Sequence, residues 1–133
     1  MAKTATLKAK NFLGKDFTIM DSMANIKKIN AGIKELYKRI NEVDEKEDNP
    51  LFADYNTVIT EEVVKQTAKL LNLTKEDTKK LESMSYADIS DFYSTAVDSF
   101  TGMAVPNVRE MQEQQKKAVE ALSQQDPKQS SEN

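Results

Sequence analysis

The chain contains no cysteine and no histidine among its 133 residues, and only three glycines and three prolines. Without cysteine there is neither a disulfide framework nor a thiolate metal site, a composition that suits a reducing compartment. Without histidine the commonest general base and transition-metal ligand are missing. The usual nucleophilic triads and zinc centres are therefore excluded, and an enzyme would have only carboxylates, Lys, Tyr and Ser to work with. So little glycine and proline does not suit a loop-rich β-protein. No run approaches the roughly 18–20 apolar residues needed to span a bilayer. The start, MAKTATLKAKNFLGK, has basic residues but no apolar core of a secretory signal after them. The expectation is a cytosolic, non-enzymatic protein with no membrane partner.

What is present points to helices. The length suits one domain and is short for two well-buried ones. Apolar residues make up 38% and charged residues 31%, with Lys, Glu, Asp, Ala, Leu and Gln plentiful. The expected class is all-α: a small bundle of four to five helices, with or without a short N-terminal β-hairpin, and a flexible C-terminal tail. The net charge of −3 hides an asymmetry. Residues 1–40 hold nine Lys/Arg against three Asp/Glu, and residues 41–133 hold ten against nineteen. Two solvated faces explain this, as would complementary ends that attract between copies. Nucleic-acid binding fits less well, because no aromatic residues are interleaved with the basic ones.

The chain divides into a flexible basic N-terminus (1–15), a helical domain (16–104), and a marginal amphipathic helix with a disordered tail (105–133). FLGKDFTI reads either as a hairpin around Gly14 or as an extended lead-in. Asp21 or Ser22 caps a first long helix. Its apolar residues Ile26, Ile29, Ile33, Leu36, Ile40 and Val43 follow a heptad seam that packs either inside the domain or between copies. Gly32 interrupts this helix, either to admit a close neighbour or as a tolerated cost. The acidic run DEKED and Asn49-Pro50 end it. Leu51, Phe52 and Tyr55 then sit in a loop or a single turn, folded onto the core or facing a partner.

Three further helices are punctuated by their own signals. Thr60 caps the first, with Glu61 and Glu62 at its positive end and Val63, Val64, Thr67, Ala68, Leu70 and Leu71 as its stripe. Asn72 closes it, with Leu73 as the apolar contact. Thr74 and Ser85 open the next two. In the last of these Ile89, Phe92, Tyr93, Ala96, Val97 and Phe100 fall on one face, and Gly102 ends it. Beyond Pro106, Val108, Met111, Ala118, Val119 and Leu122 form a thin stripe, marginal alone in water.

No chemistry-bearing constellation emerges. Asp88, Asp91 and Asp98 line one flank of a helix, where solvated charges are the ordinary reading and a Mg²⁺ or Ca²⁺ site would need oxygens from elsewhere. DEKED lacks the spacing, central Gly and terminal Glu of an EF-hand loop. The glycines are isolated, so no loop cradles phosphate. Tyr86 and Tyr93 at helical spacing read as core or edge residues. No catalytic residue, metal or cofactor is expected.

The phrase Leu70-Leu71-Asn72-Leu73-Thr74-Lys75-Glu76-Asp77, the Met84-Ser85-Tyr86 helix start and the closing Gly102 resemble tail assembly chaperones. These are proteins of long-tailed phages and prophages of Gram-positive bacteria. KDFTIMDSMANIKKIN is similar to the family's lead into its first helix. The resemblance covers residues 15–104 and rests on helix boundaries, not on chemical motifs. The basic N-terminal extension departs from members that begin directly with a hairpin. The resemblance implies a small helical, self-associating protein in the cytoplasm of the bacterial host, absent from the mature virion. Its implied partners are the tape-measure protein, which it keeps soluble, and tail-tube subunits, which it helps recruit. Apolar strips for such a client would come from the seam (Ile26, Ile29, Ile33, Leu36), from Leu51, Phe52 and Tyr55, and from Val108 and Met111. Two other readings compete: a helical regulatory or inhibitory module of immunity or anti-repressor type, and a nucleic-acid-binding protein using its basic first helix.

Overall fold

The chain's apolar stripes each find a partner stripe, and this sets the architecture of the computed structural model, which describes residues 1–46 and 48–132, the last nine by their backbone. The elements in order are β1 (Thr4–Leu7), α1 (Lys10–Leu13), β2 (Phe17–Met20), α2 (Met23–Lys46), α3 (Phe52–Leu70), α4 (Lys75–Leu81), α5 (Tyr86–Thr101) and α6 (Val108–Glu132). The fold is an all-α bundle with one two-stranded antiparallel sheet at its N-terminal end. Helix α2 packs along α3, and both meet α5. The seam turns inward: Ile29, Ile33, Leu36 and Ile40 are buried. Ile89, Phe92, Tyr93, Ala96 and Val97 of α5 complete the core.

Several boundaries follow from the residues named for them. The Ser22 Oγ accepts the Asn25 N–H (3.2 Å), which makes Ser22 the cap of α2. Asn72 adopts the left-handed conformation (φ 55°). The Leu73 N–H donates to the Ala68 carbonyl (3.0 Å) and the Asn72 N–H to that of Lys69 (3.2 Å), so α3 ends in a Schellman motif. Thr74 Oγ1 accepts the Asp77 N–H (3.1 Å) and caps α4. Helix α5 follows Ser85, whose side chain makes no capping bond. It ends at Gly102 (φ 74°), whose N–H donates to Asp98 (2.8 Å).

The N-terminus departs from the flexible arm expected for residues 1–15. Strands β1 and β2 pair from Thr4 with Met20 to Leu7 with Phe17. Ala5, Leu7 and Ala9 are buried, Leu7 to 1% exposure. Small and apolar side chains at every second position give β1 an inner face that packs on α5, while Thr6 and Lys8 between them stay in water. Asp21 pins the open end, accepting the Lys3 N–H through Oδ1 (3.1 Å) and donating its own N–H to the Lys3 carbonyl (3.0 Å). The hairpin connection is a helical turn, α1, closed by Gly14 in the left-handed region (φ 85°).

Helix α3 starts eight residues before the expected Thr60. Asp54 replaces Thr60 as the starting signal: its Oδ2 accepts the Leu51 N–H (3.0 Å), and its own N–H donates to the Leu51 carbonyl (3.0 Å). Thr60 lies inside the helix and donates its hydroxyl to the Asn56 carbonyl (2.9 Å). The expected loop Leu51–Tyr55 is thus the cap and first turn of α3. Glu47, within the acidic run, lies outside the described residues.

Helix α6 is capped by Asn107, whose Oδ1 accepts the Glu110 N–H (2.9 Å). The composition of 123–133 predicts no regular structure, yet the backbone is helical to Glu132; Asn133 lies outside the described residues.

Candidate functional site

The nine residues expected to meet a partner do not form one surface. Ile29, Ile33 and Leu36 are buried, and Ile26 is half-buried. Their heptad spacing is consumed by packing inside the chain, so the seam offers no free strip. Tyr55 is buried and donates its hydroxyl to Asp44, tying the first turn of α3 to the end of α2. Phe52, Val108 and Met111 are half-buried against the core. Leu51 alone of the nine stands out in solvent, at 65% exposure.

Under the seam lies a polar cluster that bonds α2 to α3, with the Tyr93 hydroxyl of α5 buried beside it without a hydrogen-bond partner among the described residues. Glu62 of α3 is 1% exposed. Its Oε2 accepts from the Arg39 guanidinium of α2 (3.0 Å), and its Oε1 from the Gln66 amide (2.7 Å). Burial pushes the Glu62 carboxyl up most strongly of any single influence. The donors Gln66 and Arg39, with the Lys65 charge, together outweigh it and hold the group below its ordinary value. Arg39 is held above its ordinary value, first by that bond to Glu62. Gly32 of α2 belongs to the same cluster. A Cβ there would sit 2.7 Å from the Tyr93 hydroxyl and 2.8 Å from Gln66 Oε1. Glycine is thus required at that point by close approach, one of the two readings its position allows. Burial raises the Tyr93 phenol well above its usual range, and the nearby Glu62 charge adds to this. The cluster is a structural clamp with no open space beside the carboxylate for a substrate.

A concavity lies on the outward side of α3, with Arg39 of this cluster on its margin. A groove of about 1050 Å³ runs between α3, α4 and the start of α5. Val64 and Ala68 of α3 form one side of its floor, and Leu73, Met84 and Ile89 the other. Lys65, Lys69, Lys75 and Glu82 stand on its rim. The local sequence explains the shape. Helix α3 carries two apolar rows offset by one residue, Val63–Thr67–Leu70 and Val64–Ala68–Leu71. The first row is buried against α2 and α5, and the second turns toward α4. Helix α4 has only seven residues, so it forms a low wall and leaves part of the second row uncovered.

Sequence reasoning missed this groove because it treated the two rows as one broad stripe. The doubled i, i+4 spacing was the available signal. Among the described residues no group of His, Cys, Asp and Glu is placed to hold a metal ion. No helix there is long and apolar enough to cross a membrane. The chain matches no protein-family model, no curated protein and no solved structure.

Proposed function

We propose that this chain is a non-enzymatic helix-binding assembly protein of the tail assembly chaperone type. In this reading it binds the tape-measure protein, keeps it soluble during tail morphogenesis, helps recruit tail-tube subunits and self-associates on its client. The observation that carries the reading is the uncovered groove between α3, α4 and α5, whose apolar floor and charged rim suit an amphipathic helix laid lengthwise. The client implied by the resemblance is long, apolar and helical, so it would present such segments repeatedly. Moderate affinity per copy, repeated along one client, gives overall retention through avidity.

The test is co-expression with the product of the neighbouring tape-measure gene. The client is expected to move from the insoluble to the soluble fraction and to co-purify with this protein. A client that is no more soluble with the protein than without it would remove the reading. A tight 1:1 complex with an unrelated enzyme or toxin would favour the inhibitory-module alternative instead.

A further inference from the structure

We infer that the groove takes a single α-helix of about three turns, supplied by a partner protein, whose apolar stripe is flanked by acidic side chains. The inference rests on the helix-binding reading above and specifies the chemistry of what binds. Length comes first. The α3 wall of the groove runs from Thr60 to Lys69, about 15 Å at 1.5 Å per residue, or just under three helical turns. Width follows from the floor: Val64 and Ala68 on one side and Leu73, Met84 and Ile89 on the other leave a trough that side chains at i, i+3, i+4 and i+7 would fill.

The rim then selects among helices. Glu61 is matched within the chain by Arg39 (3.5 Å). Lys65 has the buried Glu62 carboxylate 4.0 Å below it. Lys69 and Lys75 have no carboxylate within ion-pair distance among the described residues, and they face the same trough as Lys65. Against Lys69 and Lys75, the two unmatched lysines, the rim sets one unmatched carboxylate, Glu82. A helix with glutamates or aspartates beside its stripe would place them against the lysines, while a lysine-flanked helix would meet like charge. The chain's own α6 fits poorly as the occupant. Its stripe is interrupted by Gln115 and bordered by Gln112, Gln114 and Lys116, with Glu110, Glu113 and Glu120 on the far side of the helix, which leaves those lysines unmatched.

The probes are two synthetic 18-residue peptides with the same leucine stripe, one flanked by glutamate and one by lysine. Binding to the intact protein is read by fluorescence anisotropy. The glutamate peptide is expected to bind about tenfold more tightly at low salt. That advantage should shrink as ionic strength rises to about 0.5 M. Reversing the rim with Lys69→Glu and Lys75→Glu, both exposed, should invert the preference. Val64→Asp should abolish binding of both peptides while the circular dichroism spectrum stays unchanged.

Equal binding of the two peptides, binding of neither, or binding indifferent to Val64→Asp would each overturn the inference. So would self-association of the wild type that Val64→Asp abolishes, since the occupant would then be a second copy. The two readings fail separately. If the Val64→Asp protein still solubilises the tape-measure product, the groove inference falls and the chaperone reading stands. If the wild type binds the glutamate peptide but does not solubilise that product, the reverse holds.

Discussion

The two faces of α3 are built from interleaved residues of one nineteen-residue helix, yet they do opposite things. The inner face carries Glu62, Val63, Gln66 and Thr67, all buried and all held by contacts with α2 and α5. The outer face carries Val64, Lys65, Ala68 and Lys69 along an open groove. Polarity does not separate them. The inner face holds a carboxylate, an amide and a hydroxyl, and the outer face holds two of the apolar residues. What separates them is whether neighbouring helices complete the surroundings. Glu62, bonded to both Gln66 and Arg39, becomes structure, although the Thr67 hydroxyl beside it has no such partner among the described residues. Val64, half-buried against the core, keeps part of its side chain at the groove as a surface for something else.

Substitutions can break that contrast. The largest effect is expected from Arg39→Ala, which takes from buried Glu62 its directly bonded cation and leaves only Lys65 at 4.0 Å; it should cost about 3–5 kcal/mol in chemical denaturation. Leu7→Ala, at the far end of the core, should cost about 2–5 kcal/mol by leaving a cavity, a direct check that β1 is core rather than a flexible arm. Gly32→Ala gains about 1 kcal/mol of helix propensity. It meets Tyr93 and Gln66 at closer than van der Waals contact. Net destabilisation of about 1–3 kcal/mol is expected, with partial recovery when Tyr93→Phe is added. An unchanged or more stable Gly32→Ala protein would mean that the inner face is not closely packed.

Titration sharpens the same contrast. The fold holds Glu62 below its ordinary value of 4.5. Its ionised form is therefore the one the fold prefers. That contribution is complete above about pH 4.5 and is lost as pH falls through the depressed folded-state value. Denaturation midpoints measured from pH 6 downward should fall in that window, and less so for Glu62→Gln. The smallest change in stability belongs to the outer face. Val64→Asp should cost about 1 kcal/mol or less in denaturation while removing client solubilisation, the reverse of what inner-face variants do.

Much of this was legible from local signals. Thr74, Asn72 and Gly102 mark helix ends because capping chemistry acts over three or four residues and needs nothing from the rest of the chain. The α5 stripe was equally plain, since one face buried against a core imposes the 3.6-residue period. The failures share a different cause. Thr60 looked like a cap, but Asp54 satisfies the helix start earlier, and a threonine inside a helix can return its hydroxyl to the preceding turn. Ala5 and Leu7 are too few and too small to announce a strand, and their burial depends on α5 lying across them. The Ile26–Val43 seam allows a partner inside or outside the chain, because periodicity does not say which helix fills the holes; in the fold Ile29, Ile33, Leu36 and Ile40 are buried. The groove exists only where the seven residues of α4 stop short, which no local pattern encodes.

The contact between β1 and α5 also carries a consequence for synthesis. The strand leaves the ribosome before the helix that covers Ala5 and Leu7, which is made some eighty residues later. At roughly 5–20 residues per second the two are separated by several seconds. Helices α2 and α3 can pair in that interval from nearby sequence, whereas the inner face of β1 stays uncovered until Ile89–Val97 emerges. The order of translation therefore leaves the inner face of β1 without its cover until α5 is made, as it does the faces of α2 and α3 that meet the same helix.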